Sequence, residues 1–190
     1  MNTYPELLEA FRRWIKREDL DGLFPDFVTL AEARIYRGLR ISALESEFTG
    51  TISAYTLPKP SDWITFKSLW STAEPSQPIT ARPLEYLIAN ENEVHPRHFA
   101  AEKNTFRFDC AGGSVRGTYY AKAPGLTDIA PTNALLTAAP DLYLFATLGE
   151  AHLYAMDDQQ AGFWNGRTEV LIAQLNADDM ANRYGGQLGL

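Results

Sequence analysis

The chain has a single cysteine, Cys110, among 190 residues. An internal disulfide and a thiolate zinc cluster are therefore excluded, and nothing in it depends on an oxidising compartment. The lone thiol is expected as a small buried apolar group. Positive charge is also in short supply: 17 Lys and Arg against 24 Asp and Glu leave a formal net charge of -7. Phosphate backbones are held by basic surfaces, so this balance excludes a general attraction to nucleic acid. The phosphate-cradling G-x-x-x-x-G-K-[ST], the dinucleotide G-x-G-x-x-G, the zinc-binding H-E-x-x-H and the hydrolase G-x-S-x-G are all missing from the sequence. Long apolar runs are missing too. The most hydrophobic stretch, 132–154, is interrupted by Pro140, Asp141, Glu150 and His152, short of the ~20 residues a membrane span needs. The opening MNTYPELLEAFRRWIKRED has no apolar core or small-residue cleavage site of a secretory leader. A soluble chain with no membrane partner is the expectation.

Aromatic residues are plentiful: four Trp, nine Tyr and ten Phe, enough large rings to build cores rather than leave the chain disordered. Thr3 with Glu6 reads as a helix start, and Tyr4, Leu7, Leu8, Phe11, Trp14 and Ile15 recur at helical spacing to about Arg17. After a turn at Asp19–Gly22, a second stripe (Phe27, Val28, Ala31, Ile35, Leu39) predicts a helix from Pro25 to about Leu44. From Phe48 the pattern becomes alternating and proline-punctuated. Strands are predicted over 47–56, 63–71, 79–82, 97–101, 105–110 and 114–122, with a short helix over 84–90. Phe106, Phe108 and Cys110 share a strand face, and Ala111–Ser114 reads as a hairpin turn into a strand carrying Val115 and Tyr119. A helical turn over 133–138, a helix over 140–156 and a helix over 158–184 follow. The fold class is α+β: a small helical bundle from N- and C-terminal helix pairs (1–46 and 132–184), with an inserted β-rich domain (47–131) and a tail (185–190).

Chemistry is sparse on this pattern. Glu150 and His152 are two apart, so on a helix they point about 200° away from each other and form no site. His152 reads as a buried, hydrogen-bonded side chain on a stripe with Leu142, Phe145, Gly149, Leu153 and Met156. His95 and His98 flank Pro96, whose extended geometry separates the imidazoles, and no third ligand is near. Asp157/Asp158 and Asp178/Asp179 read as helix-end and solvated charges, and Arg34, Arg37 and Arg40 as a solvated face ahead of a phosphate or partner contact. No catalytic residue, cofactor site or metal site is assigned. The helix over 140–156 is apolar on nearly every side, which demands burial all round. In a chain with few helices a neighbouring subunit is the natural supplement, so Leu144, Leu148, Ala151 and Ala155 are the expected subunit contact. Gly149, Gly162 and Gly166 are expected to permit close helix approach, since each otherwise costs roughly 1 kcal/mol relative to Ala.

Three stretches carry a resemblance: PDFVTLAEARIYRGLR (25–40), TYYAKAPGLTDIAPTNALLTAAPDLYLFATLGEAHLYAMDD (118–158) and the pattern Trp164, Arg167, Leu175, Asn176, Asp179. Together they resemble the head-to-tail adaptors of tailed bacteriophages, the connector or gatekeeper proteins of podophage type, related to tail tubular proteins. The middle, 50–104, is similar mainly in layout. The resemblance implies a structural, non-enzymatic virion protein, soluble in the host cytoplasm before assembly. It implies a ring of twelve beneath the portal, extending the DNA channel and anchoring the tail nozzle or tail fibres. Double-stranded DNA then passes through without sequence-specific binding, which an acidic chain suits. It further implies a C-terminal segment that docks on the portal protein, here Arg183, Tyr184, Leu188 and Leu190. Two other functions compete: a connector-associated peptidoglycan hydrolase, which needs two carboxylates roughly 5 to 9 Å apart in one cleft, and a small-ligand binding module built from the aromatic insert.

Overall fold

The computed structural model describes residues 1–184. Mixed α+β in class, it has six α-helices and a seven-stranded sheet among the described residues. The chain divides into two compact units, Met1–Leu44 with Ala123–Leu190, and Glu45–Lys122. The first is helical and the second holds the whole sheet.

In the helical unit, α1 (Tyr4–Ile15) starts at Thr3, whose hydroxyl oxygen accepts from the Glu6 N–H at 3.4 Å, with proline in the first turn where no amide donor is needed. It stops where Lys16 turns left-handed (φ 54°). Next, α2 (Phe24–Gly38) ends six residues before the predicted Leu44. Leu39 is extended, and residues 42–44 form a separate 3-10 turn. Side chains of the last helix explain the difference: Asn176 Oδ1 accepts from the Arg40 N–H at 2.7 Å, and Asp179 Oδ1 accepts from the Ser42 N–H and hydroxyl at 2.8 and 2.6 Å. These acceptors replace the helical carbonyls and pull the chain out of helix. Asp179 is thus a structural acceptor, contrary to the expectation of a solvated charge.

The returning chain forms α4 (Ala134–Ala138), capped by Asn133 Oδ1 on the Leu136 N–H at 2.7 Å, α5 (Pro140–Tyr154) and α6 (Asp158–Tyr184). Left-handed Met156 (φ 57°) closes α5, and Asp157 Oδ1 accepts from the Gln160 N–H at 3.2 Å to open α6. Helix α5 sits at the centre, in contact with α1, α2, α4 and α6.

In the sheet unit the strands are β1 (Glu45–Ser53), β2 (Thr56–Pro58), β3 (Trp63–Ser71), β4 (Thr80–Ala81), β5 (His98–Ala101), β6 (Thr105–Phe108) and β7 (Gly112–Ala121), with α3 (Leu84–Ala89) between β4 and β5. Their order is β3-β7-β1-β2-β6-β5-β4. An antiparallel bridge between Trp70 and Pro78, with the Ile79 N–H donating to Leu69 O at 2.7 Å, brings β3 onto the residues entering β4. The sheet is thereby nearly closed, which leaves little unpaired edge.

The predicted β6–β7 hairpin does not form. Strand β7 lies between β1 and β3, while β6 lies between β2 and β5. Gly112 and Gly113, read as turn residues, are the first residues of β7, opposite Ser53 and Ile52. The real tight turn is Ala54–Tyr55, both left-handed (φ 48° and 67°), joining β1 to β2. Such consecutive left-handed residues match the twist of a hairpin, although neither is the glycine or asparagine that would advertise it. Arg107 stacks over the Tyr55 ring and the Phe108 N–H donates to Tyr55 O at 2.8 Å, holding the turn. The expected shared face is real: Phe106, Phe108, Cys110, Val115 and Tyr119 all enter one core with Phe48 and Phe99. At Gly117 a side chain would run into the Ser68 carbonyl oxygen, so only glycine lets β7 lie this close to β3.

Candidate assembly surface

Helix α5 is satisfied within its own chain. Leu148 and Ala151 are fully buried, Leu144 is 7% exposed, and Ala155 is half-buried just past the helix end. The expected subunit contact through Leu144, Leu148 and Ala151 is therefore corrected: α1, α2, α4 and α6 already cover that surface, and a neighbour cannot reach it. The all-round apolar character was read correctly as a demand for burial. The missing step was that four helices of one subunit meet the demand.

Two polar groups on α5 fasten this arrangement. The Arg34 guanidinium reaches from α2 to the buried Glu150, with Nε and Nη2 at 2.8 and 2.7 Å from Oε1. A charge buried on one helix is thus paired across to another, and Arg34 is an ion-pair partner rather than the solvated side chain expected. Near the other end, the Tyr143 hydroxyl donates to Glu32 Oε1 at 2.9 Å and accepts from Asn133 Nδ2 at 2.8 Å. Glu32 Oε1 also accepts from the Leu126 N–H at 3.0 Å, and Asn133 Nδ2 donates to Pro124 O at 2.8 Å. Burial raises the Glu32 pKa against the pull of these donors, and burial with the Glu32 charge lifts the Tyr36 phenol to about 12. The network ties the segment 123–133 to α2 and α5. His152, read as buried, is partly exposed, with Nδ1 at 3.5 Å from Asp157 Oδ2, while Leu153 and Met156 on its predicted stripe lie in solvent.

In the sheet unit, the two histidines of the His95–His98 run go to different carboxylates. His98 Nδ1 is 2.8 Å from the fully buried Asp109, and His95 Nε2 is 4.0 Å from Glu74. Asp109 Oδ1 also accepts from the Arg97 N–H at 3.1 Å, so the His98–Asp109 pair is a clasp between β5 and the end of β6. The adjacent Cys110 thiol donates to Gly112 O at 3.0 Å, and burial followed by the Asp109 charge pushes its pKa up to about 11. That direction is opposite to the one a nucleophilic thiolate needs.

The exposed apolar surface tells a different story. Among the described residues, nine large hydrophobic side chains of the helical unit are exposed against three of the sheet unit, Tyr86, Ile88 and Val94. Along α6, Phe163 (49%) and Val170 (57%), seven residues apart, share one exposed face, and Met180 (60%) is exposed about a quarter-turn round from them. Trp14 (51% exposed) extends the patch through edge-to-face contact with Trp164, which also meets Phe145 and Phe163. Gly149 does bring α5 onto α6, since a side chain there would overlap Asn165. Gly162 and Gly166 meet nothing within 4 Å and hold no helices together in this chain.

A family model described as the SU10 adaptor protein matches residues 2–188. The chain belongs to the SU10 adaptor protein family. No curated protein matches it. Adaptor membership agrees with the phage-adaptor resemblance read from the sequence and spans both units of the fold. Of the residues expected to dock this adaptor on a portal, Arg183 lies on α6, ion-paired with Asp179, and Tyr184 is the last residue of that helix. Leu188 and Leu190 lie outside the described residues. No helix of the adaptor among the described residues is long and apolar enough to cross a membrane.

Proposed function

We propose that this adaptor is a structural component of a tailed-phage virion of podophage type, assembling as a ring of twelve beneath the portal. Such a ring extends the DNA channel and anchors the tail nozzle or tail fibres. The observation that carries this reading is the family match over nearly the whole chain. Two physical features support it. The unpartnered apolar side chains concentrate on the helical unit, where a contact between subunits would cover them. The net charge of -7 also suits a channel that duplex DNA passes without adhering. The C-terminal residues Arg183, Tyr184, Leu188 and Leu190 are the proposed portal contact.

Electron microscopy of the purified protein, alone and mixed with the portal of the same phage, tests the reading. Rings, and their stacking on the portal, are the expected result. A protein that stays monomeric and leaves the portal bare overturns it.

A further inference from the structure

Two exposed helix faces of the helical unit carry the same spacing with opposite charge. On α6, Arg167 and Asp178 stand eleven residues apart; on α2, Asp26 and Arg37 stand eleven residues apart in the reverse order of sign. Eleven residues is three helical turns, about 16.5 Å, so each pair lies on one stripe of its helix. All four side chains are exposed, and among the described residues none has an oppositely charged partner within the chain; Arg167 rests over the Phe163 ring, 5.3 Å from its centroid. Between the charges each face offers an exposed apolar side chain, Leu30 (53%) on α2 and Val170 (57%) on α6. The helix dipole accounts for an acid early and a base late in α2. It does not account for α6, where the order of the two charges runs against it.

We propose that the α6 outer face of one copy docks, in parallel, on the α2 outer face of the next copy. Arg167 then meets Asp26, Asp178 meets Arg37, and Val170 packs near Leu30. Antiparallel docking sets like charges against each other, so the sign pattern selects the direction. A second copy is the occupant because the complementary face is on this same chain. The charged span alone covers less than the roughly 800 Å² per partner of a stable contact. The contact, however, runs on past Arg167 to the exposed ring of Phe163, about 22 Å from Phe163 to Asp178. Joining one patch to a different patch is a heterologous contact, which repeats from copy to copy and closes into a ring when the rotation permits. The proposal rests on the adaptor reading and names the surfaces by which such a ring would form.

Charge reversal tests it in the full chain, with sedimentation velocity over a concentration series and circular dichroism as the folding control. The wild type is expected to assemble. Arg167→Glu or Asp26→Lys alone should raise the concentration for half-assembly by about tenfold or more, as like charges meet across the contact. The double variant R167E/D26K, and an equimolar mixture of the two single variants, should both recover assembly, because each arrangement restores opposite charges. Wild-type oligomers that ignore both single reversals overturn this contact and leave the ring reading standing. So do singles that dissociate with no recovery in the double variant or the mixture. A wild type that never leaves the monomer overturns both the contact and the ring.

Discussion

The sheet unit closes around rings, and its strands pair into a nearly closed sheet that leaves little unpaired edge. The helical unit closes around a helix, α5, that is apolar on nearly every side and is wrapped by four others, with charged residues as fasteners. In the sheet unit Phe66 and Phe106 each meet several other rings edge-on or tilted, at centroid distances from 4.9 to 6.5 Å. Such contacts are local, dry and complete. Wrapping α5 uses the inner faces of α1, α2 and α6 and leaves their outer faces to solvent, still bearing Trp14, Leu30, Phe163, Val170 and Met180. A unit whose central helix takes every inner face has only outer faces to offer a neighbour, and here those faces keep exposed apolar side chains among their charges.

The largest effect is expected at the wrapped helix. Leu148→Asp places a carboxylate where no solvent reaches, and an unpaired buried charge is among the few changes that cost more than about 4 kcal/mol. The expected outcome is loss of the helical unit's cooperative melting, read by circular dichroism, in dilute chain as well as at assembling concentration. A variant that folds normally and fails only to assemble would return α5 to the subunit interface. The matching change in the sheet unit, Phe106→Ala, empties a fully buried ring site and should cost about 3–5 kcal/mol. Its effect is expected in thermal unfolding, with the α2 and α6 outer faces unaltered. If Phe106→Ala abolished assembly at temperatures where the chain stays folded, the assignment of assembly to the helical unit would fall.

Much of the helical unit was legible because its signals are local. Thr3 and Asn133 cap the helices that follow them, and α6 begins at the predicted residue, after the left-handed Met156 and the Asp157 cap. What escaped was set by contacts distant in sequence. Arg34 and Glu150 are 116 residues apart, and Asp179 meets Ser42 across 137, so neither partner marks the other in the chain. The order of the sheet was hidden for the same reason. Two glycines after Cys110 look like a turn until β1 is known to lie alongside them, and the true turn at Ala54–Tyr55 has no turn residue. The exposed apolar side chains of the helical unit were half legible. The surplus of apolar helix was visible, but which helix was surplus depends on who surrounds α5, and that is a property of packing rather than of periodicity.

The smallest effect probes the polar fastening of the helical unit and carries a sign. Burial raises the folded-state pKa of Glu32, so between the ordinary carboxylate value and that raised value the folded chain holds the extra proton. Stability contributed by this group is therefore full below the unfolded-state pKa and declines as pH rises through the folded one, then levels off. Glu32→Gln keeps a carbonyl oxygen for the Leu126 N–H and the Tyr143 hydroxyl and removes the titrating charge. The variant should melt like the wild type near pH 4 and at a progressively higher temperature than the wild type as pH rises to 7, read by thermal unfolding across that range. Tyr143, whose own pKa burial and the Glu32 charge both raise, stays a neutral donor throughout and sets no slope. The sheet unit's buried carboxylate, Asp109, is held by an imidazole and a backbone amide, and Glu32→Gln leaves that clasp unchanged. A Glu32→Gln curve that falls behind the wild type as pH rises to 7 would show that the carboxylate's charge is a net fastener of α2 to α5, and a parallel curve would show that Glu32 titrates alike in the folded and unfolded chain; either overturns a cost of burying that charge.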